Sequence, residues 1–538
     1  SRPVWRGLVE QLSDLYCRGL DGIWALVLKN AFMPLFLEPF DYVVGNPPWI
    51  LWDNLPQGYR EQTMGLWNEY GLFVHSGMDT ILGKGKKDLS TLMSYVAIDR
   101  YLKLRGKIGF VITQSVWKTA GAAQGFRRFR IGQDRDHFAI VHVDDMSSIQ
   151  AFEGASTRAS VFVAIKGERT RYPVPYSYWR KTARGRSLGY DSTSEEVFSL
   201  TGRANFMAVP VSQTDPTSAW LTARPKAIEA ARKFLGSSSY SAHAGAYTGG
   251  ANGVYWLQVL STIMPNGNAV VQNVTDGAKR EVESITVEIE TGLLFPLLRS
   301  GDLQRWKPLP KVHILMMQDP QRRRGFSEAE IQEKCPKTWS YVSRFEKQLR
   351  ARAAFVRYYT RPNKDGTKLE TGPFYSMFDV SSYTFAPWKV VWTRMGNKID
   401  AAVIPKEVVP QETITLIACE SEEEAHYLAA TINSSPFQFA AFAYSQAGGK
   451  SFGSPHLLEN INVPAFEPAN STHRRLVALS KEAHAIAAEV ETAKDTKNRR
   501  LADIERQVGE AAAELWGLTP QELTDVQASL RELKGEAV

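Results

Sequence analysis

Apolar positions along the first 170 residues alternate between two periods. Residues 20–36 are apolar at helical spacing and are stopped by Pro34 and the segment around Pro39. Phe40-Asp41-Tyr42-Val43-Val44 is a short aromatic and β-branched run ended by Gly45, which predicts a buried strand. Leu92, Tyr95, Val96, Ile98 and Leu102 mark a helix over 89–104, stopped by Gly106. Residues 108–112, 138–143 and 160–165 read as three further strands. Strands separated by helical segments predict an α/β layered sheet.

The pattern then changes. Residues 171–235 are polar and lack a clear period, which predicts a connection. From about 236 the composition shifts toward Gly, Tyr and Trp, with short strands expected at Gly253-Val254-Tyr255-Trp256-Leu257 and Trp388-Lys389-Val390-Val391-Trp392. This reads as a mixed α+β domain over 236–468. The last part, 469–538, reads as helical: Leu476, Leu479, Ile486 and Val490 mark one face, and Leu501, Ile504, Val508 and Leu515 the next. Gly517 stands where a helix C-cap belongs, and Thr519-Pro520 opens a new helix. The expected division is therefore 1–170, 171–235, 236–468 and 469–538.

Composition narrows the classes. A chain of 538 residues is too long for one core, and 43% hydrophobic with 22% charged residues is the balance of a soluble globular protein. A net charge of +7 suits a polyanionic partner, and a mildly basic surface without one reads the same. The cysteines Cys17, Cys335 and Cys419 are scattered, so neither a zinc ribbon nor a disulfide framework is expected, and a reducing cytoplasm fits. No metal site is expected, because the histidines show no ligand spacing. No apolar run suits a membrane span, and the opening Ser1-Arg2-Pro3-Val4-Trp5 is not a secretory signal. The lack of an initiator Met leads to the expectation of a fragment or the later part of a longer polypeptide.

The strongest chemical signal is Asp41-Tyr42-Val43-Val44-Gly45-Asn46-Pro47-Pro48-Trp49. A strand delivers Asn46 to the carboxyl edge of a sheet, where doubly wound folds place ligands. The prolines fix φ and lack N–H groups, so the turn is rigid. The Asn46 oxygen and a proline carbonyl can both accept from one exocyclic NH₂, drawing its lone pair out of conjugation and aiming it. Trp49 offers a stacking face for a base taken out of a duplex. A sulfonium methyl group is already electrophilic, so orientation can supply most of the catalysis. A rigid turn closing a strand, with Trp49 as a core plug, is the plainer reading.

The segment resembles motif IV of amino-group DNA methyltransferases, in which N-P-P followed by an aromatic marks adenine-N6 enzymes, and the downstream order resembles the gamma class. Gly106 to Thr113 is similar to the next sheet strand of that class. Phe152-Glu153-Gly154, followed by Thr157 to Lys166, is similar to motif VIII, which implies that Phe152 stacks on the flipped base; a hydrophobic plug before a strand is the alternative. Stretches at 244–253 and 293–306, and the tail ending in Glu514-Leu515-Trp516-Gly517-Leu518-Thr519, are similar to parts of large restriction-modification and phage-defence methylases of the BREX and DISARM type.

The resemblance implies an α/β, Rossmann-like methyltransferase sheet, incomplete at its N-terminal side, over 1–170. A connecting region would follow over 171–235, then a target-recognition domain over 236–468 and a helical C-terminal region. It implies a site-specific, adenine-specific DNA methyltransferase using S-adenosyl-L-methionine (AdoMet), with Asn46 also beside the cofactor. Double-stranded DNA would be the substrate, and other defence-system subunits would be partners. The chain departs from the family in one respect: no strand with a G-x-G loop precedes Asn46, and Gly83-Lys84-Gly85 reads as a surface loop. An N-terminal portion or a partner polypeptide would then supply the cofactor loop. The non-enzymatic alternative is a DNA-recognition scaffold subunit.

Several basic positions are candidate DNA contacts, each with a solvated surface as the alternative. They are Arg322, Arg323 and Arg324 in one cluster, Arg361 among Tyr358 and Tyr359, and Arg394 and Lys398 beyond the Trp388 strand. Gly448-Gly449-Lys450-Ser451 lacks the first glycine of a phosphate-binding P-loop, since Tyr444 stands there; Lys450 reads instead as a phosphate contact. No serine-hydrolase elbow or nuclease motif is present.

Overall fold

The computed structural model describes residues 2–19, 21–73, 87–119, 121, 123–132, 136–149, 151–153, 157–182, 188–261, 263–278, 280–363, 368–445, 452–489 and 494–536. The chain divides into two units, residues 1–205 and 206–538.

In the first unit the four expected strands and two further ones form one mixed sheet. They are β1 (Phe40–Gly45), β2 (Leu102–Thr113), β3 (Arg130–Ile131), β4 (Asp136–Asp145), β5 (Ala159–Lys166) and β6 (Val174–Lys181), laid out β1-β2-β5-β4-β6 with β3 on β4. β1 and β2 run parallel, as do β4 and β6, while β5 is antiparallel to both β2 and β4. The carboxyl ends of β1, β2, β4 and β6 therefore share one edge of the sheet.

Three expectations change here. β1 is not buried: Tyr42 is 72% and Val44 83% exposed, because among the described residues β1 pairs only with β2. The helix expected over 89–104 is shorter, with an α-helix Leu89–Val96, a π-turn Ala97–Tyr101, and β2 already under way at Leu102. Pairing of Leu102 with Phe40 draws those residues into the sheet, and the left-handed Arg105 (φ 64°) ahead of Gly106 bends the strand there. Residues 171–235, expected to be a connection, carry β6, the helix Ser194–Leu200, the strands Thr201–Pro210 and Trp220–Ala223, and the helix Pro225–Ala231. In β6 the buried Val174, Tyr176 and Trp179 are interrupted by Pro175, Ser177 and Tyr178, which dilutes the apolar signal.

The second unit holds two larger sheets. Ala401–Pro405, Trp388–Thr393, Ile414–Cys419 and His243–Ala244 make a four-stranded one in that order. Thr286–Glu290, Asn268–Asn273, Trp256–Val259, Val312–Leu315, Leu294–Leu298 and Val409–Pro410 make a six-stranded one. The strand expected at 253–257 begins only at Trp256; Asn252–Tyr255 is a helical turn, which places Val254 and Tyr255 side by side in the core. The tail helices Ser471–Ala488, Lys494–Leu515 and Pro520–Leu533 lie where the sequence puts them, and Gly517 has φ 63° with Leu518 N–H bonded to the Ala513 carbonyl at 2.8 Å. Leu476, Val508 and Val526 share one core with Trp392 and Ile417 of the four-stranded sheet. No helix among the described residues is long and apolar enough to cross a membrane.

That core buries His426, with the half-buried His484 beside it, ring centroids 4.8 Å apart. His484 Nδ1 bonds to the Ser480 carbonyl at 2.7 Å, and its Nε2 accepts from Val403 N–H at 3.0 Å, so the ring is neutral. Burial pushes the His426 ring down to about 3. The unfolded chain takes up this proton near 6.5 and the folded chain does not. Stability is thus whole above about pH 6.5 and falls as pH drops toward 3, by up to about 1.4 kcal/mol per pH unit. Urea unfolding at pH 7 and pH 5 should show this loss, and His426→Gln should reduce it.

Candidate functional site

The turn Asn46-Pro47-Pro48-Trp49 leaves the carboxyl end of β1. Gly45, just before it, faces the Phe110 ring, which a Cβ would meet at 3.1 Å, so the residue preceding Asn46 has little room to be larger. Asn46 and Pro48 are exposed, Pro47 is buried and Trp49 is half-buried. Trp49 Nε1–H donates to the Val111 carbonyl on β2 at 3.3 Å. Beyond the turn, Leu89 N–H bonds to the Ile50 carbonyl at 2.8 Å and Trp52 N–H to the Lys87 carbonyl at 2.7 Å. The turn is therefore fastened on both sides, while the Asn46 amide faces solvent.

Phe152, on the loop between β4 and β5, comes to the same place. Its ring centroid lies 5.3 Å from that of Trp49, with the planes at 86°. The rings meet edge to face, so a base between them, which needs faces about 7 Å apart, requires one ring to turn.

The base of that loop is held by groups the sequence reading did not single out. Asp145, at the end of β4, accepts from Ser147 N–H at 2.9 Å, from Gln114 Nε2–H at 3.2 Å and from the Tyr176 hydroxyl. Gln114 N–H bonds to the Arg158 carbonyl at 2.8 Å, and Met146 N–H to the Ala159 carbonyl at 3.1 Å. Burial, then Asp145, hold the Tyr176 phenol well above its ordinary range, so it remains a donor. Burial pushes the Lys118 ammonium down to about 7, and Asp145 opposes that shift. The only sequence signal for these groups was a polar residue directly after each apolar run, as in Thr113-Gln114 and Asp144-Asp145.

The basic candidates in the second unit separate by what they already bind. Arg322 forms ion pairs with Asp319 and Glu330, each at 3.4 Å. Arg323 is exposed in the same turn, and Arg324 lies exposed opposite Asp319 in the register of a two-stranded hairpin. Arg361 lies exposed on the hairpin Thr360–Pro362, and Lys398 is exposed. Arg394 is half-buried, with Nη1–H on the Glu412 carbonyl at 3.5 Å. Gly448-Gly449-Lys450-Ser451 and Gly83-Lys84-Gly85 lie outside the described residues. Among the described residues no group of His, Cys, Asp and Glu is arranged to hold a metal ion.

Residues 24–152 match the model of the Eco57I restriction-modification methylase family. The match contains Asn46 to Trp49 and reaches Phe152. Over 153 residues the chain is 28% identical to the type II methyltransferase M.NspV of Nostoc sp., covering 28% of this chain and 29% of that protein. The segment bearing Asn46 is thus similar in sequence to restriction-modification methylases. In structure the chain is similar to the type IIL restriction-modification enzyme MmeI, solved in complex with DNA, with a TM-score of 0.50 at 9% identity over 92% of this chain and 57% of that one. A weaker likeness, at a TM-score of 0.38 and 11% identity, is to a nuclease-deletion mutant of the type ISP enzyme LlaGI with a DNA substrate mimic, over 83% of this chain and 42% of that one. The MmeI likeness shows a mixed α/β fold. The chain spans little over half the length of MmeI, and the matched part is under a third of M.NspV.

Proposed function

We propose that this chain is the base-handling and target-reading part of a site-specific DNA methyltransferase that methylates adenine at N6 in restriction-modification or phage defence. The observation that carries this reading is the exposed Asn46 amide in a rigid Pro-Pro turn at a sheet edge, with Trp49 and Phe152 at 5.3 Å. Asn46 Oδ1 and a proline carbonyl accept the two amine hydrogens of a flipped adenine, and Trp49 and Phe152 take its faces. Residues 1–170 would be the catalytic part and 236–468 the recognition domain, with 171–235 joining them and 469–538 closing the chain.

AdoMet supplies the methyl group of such an enzyme, but the described residues before β1 do not fit it. They form the helices Arg2–Cys17 and Asp21–Phe32 rather than a strand with a glycine turn. The open side of β1, with Tyr42 and Val44 exposed, suits a further strand-bearing polypeptide that holds the cofactor. A second reading is a DNA-recognition scaffold subunit without activity of its own.

Binding measurements separate these readings from one without DNA. Fluorescence anisotropy with a 30-base-pair duplex should show affinity that falls steeply as salt rises. Failure to bind duplex DNA at low salt would sink both. Binding to DNA by the protein as isolated from its source, with no AdoMet retained on a filter, would favour the scaffold.

A further inference from the structure

Five described residues other than glycine have positive φ: Arg105, Phe129, Trp306, Arg323 and Asp379. Two of these, Arg323 (φ 54°) and Asp379 (φ 53°), sit on neighbouring turns and carry opposite charges. Such backbone costs energy that the surroundings must offset, and it persists where a side chain has to point in one direction.

The surroundings do fix these two turns. The Arg323 turn is closed by its own N–H on the Asp319 carbonyl at 2.9 Å, with Asp319 Oδ1 accepting from Gln321 N–H at 2.8 Å. It is then tied to the strand of chain leading into Asp379. Met377 N–H donates to Gln318 Oε1 at 2.9 Å, and Gly325 N–H to Ser376 Oγ at 3.1 Å. The Tyr359 hydroxyl donates to the Arg323 carbonyl at 2.8 Å while its ring lies 5.6 Å from Phe378. Phe378 in turn exchanges two main-chain bonds with Tyr247, both 2.9 Å.

These bonds hold the main chain and leave the charged ends unused. Among the described residues neither the Arg323 guanidinium nor the Asp379 carboxylate has a hydrogen-bond or ion-pair partner, in contrast to Arg322. Both residues are exposed. Burial, then Asp379, raise the Tyr383 hydroxyl to about 12, and Arg323 opposes that shift. His243 stacks on Tyr383 with centroids 4.1 Å apart and planes at 3°. Asp379 is open to water yet crowded enough that burial raises its carboxyl, with Arg394 opposing. The two turns thus offer a donor fork and an acceptor pair, both exposed.

We propose that Arg323 and Asp379 read base edges in the major groove. Arg323 donates two hydrogen bonds to guanine O6 and N7, and Asp379 accepts one from a cytosine N4 amine. A guanidinium fork matches only guanine in that groove, and a carboxylate is accepted by the amino edge and refused by the acceptor edge. Strained, cross-tied turns give such contacts discrimination, because a mismatched base cannot be met by a shift of the loop. The inference rests on the chain being a duplex-DNA binder. It goes beyond that reading by naming which two side chains carry specificity and for which bases.

The test is selection of bound sequences from a randomised duplex library with the full chain, its Arg323→Gln variant and its Asp379→Asn variant, at one salt concentration. Asparagine tolerates the left-handed backbone, so Asp379→Asn removes the charge and leaves the turn. The wild-type motif is expected to contain fixed guanine and cytosine. Each variant should relax one such position about tenfold or more and leave the others unchanged. Variants that bind DNA with the wild-type motif would overturn the inference and leave the DNA-binding reading standing. A wild-type chain that binds no duplex would overturn that reading itself.

Discussion

In the protein purified from its source, Asn46→Ala is expected on the proposed reading to lower methyl transfer by roughly 10²–10³-fold or more, with duplex affinity unchanged. The Asn46 side chain is exposed, so its loss opens no cavity and leaves folding intact. What goes is one of the two acceptors that hold the target amine and aim its lone pair. Affinity for duplex DNA comes mainly from phosphate contacts, which Asn46 does not make in this reading. Methyl incorporation and fluorescence anisotropy on the same preparations measure the two effects separately. Asn46→Asp keeps an oxygen acceptor at the same place and should lose less than alanine does. Full activity in Asn46→Ala would remove the base-handling role.

The largest stability effect is expected at Arg352, which is fully buried in the second unit. Its Nη1 donates to the Thr248 carbonyl at 2.7 Å, its Nη2 to Phe374 and Ser376 at 2.6 and 2.9 Å, and its Nε to Leu349 at 2.9 Å. The Tyr255, Phe355 and Phe378 rings surround the guanidinium at 5.8, 6.0 and 5.6 Å. One planar fork thereby ties the segment around Thr248 to the one leading into Phe378. Arg352→Met removes the costly buried charge but orphans several carbonyls at once, and a net loss of about 3 kcal/mol is expected. Arg352→Lys, a single point of donors on a flexible stem, should recover only part of it. Urea unfolding of the two variants against wild type checks both values.

How far the sequence reveals this arrangement depends on the distance over which each interaction acts. Four strands of the first unit, β1, β2, β4 and β5, are legible because each is an apolar run between breakers, and the Asn46 turn is legible because proline constrains its own neighbours. The position of β1 at the open edge of its sheet is not, since pairing partners leave no mark on the run itself. Trp49 and Phe152 are joined only by resemblance before the geometry brings their rings to 5.3 Å. The Asp145 network stayed hidden because Gln114 and Tyr176 each lie 31 residues away and meet it only through strand order. Residues 253–257 show the limit of composition, as Gly-Val-Tyr-Trp-Leu suits a strand while buried contacts at Val254 and Tyr255 select a helical turn. Arg322 and Arg323 are alike in sequence; Asp319 and Glu330 pair with one and leave the other.

The most direct measurement is mass spectrometry of nucleosides from DNA incubated with the protein purified from its source and AdoMet carrying a deuterated methyl group. Label on adenine N6 with wild type, and its loss with Asn46→Ala, is the expected result. Label on cytosine N4, no label at all, or undiminished label with Asn46→Ala would contradict adenine methylation through Asn46.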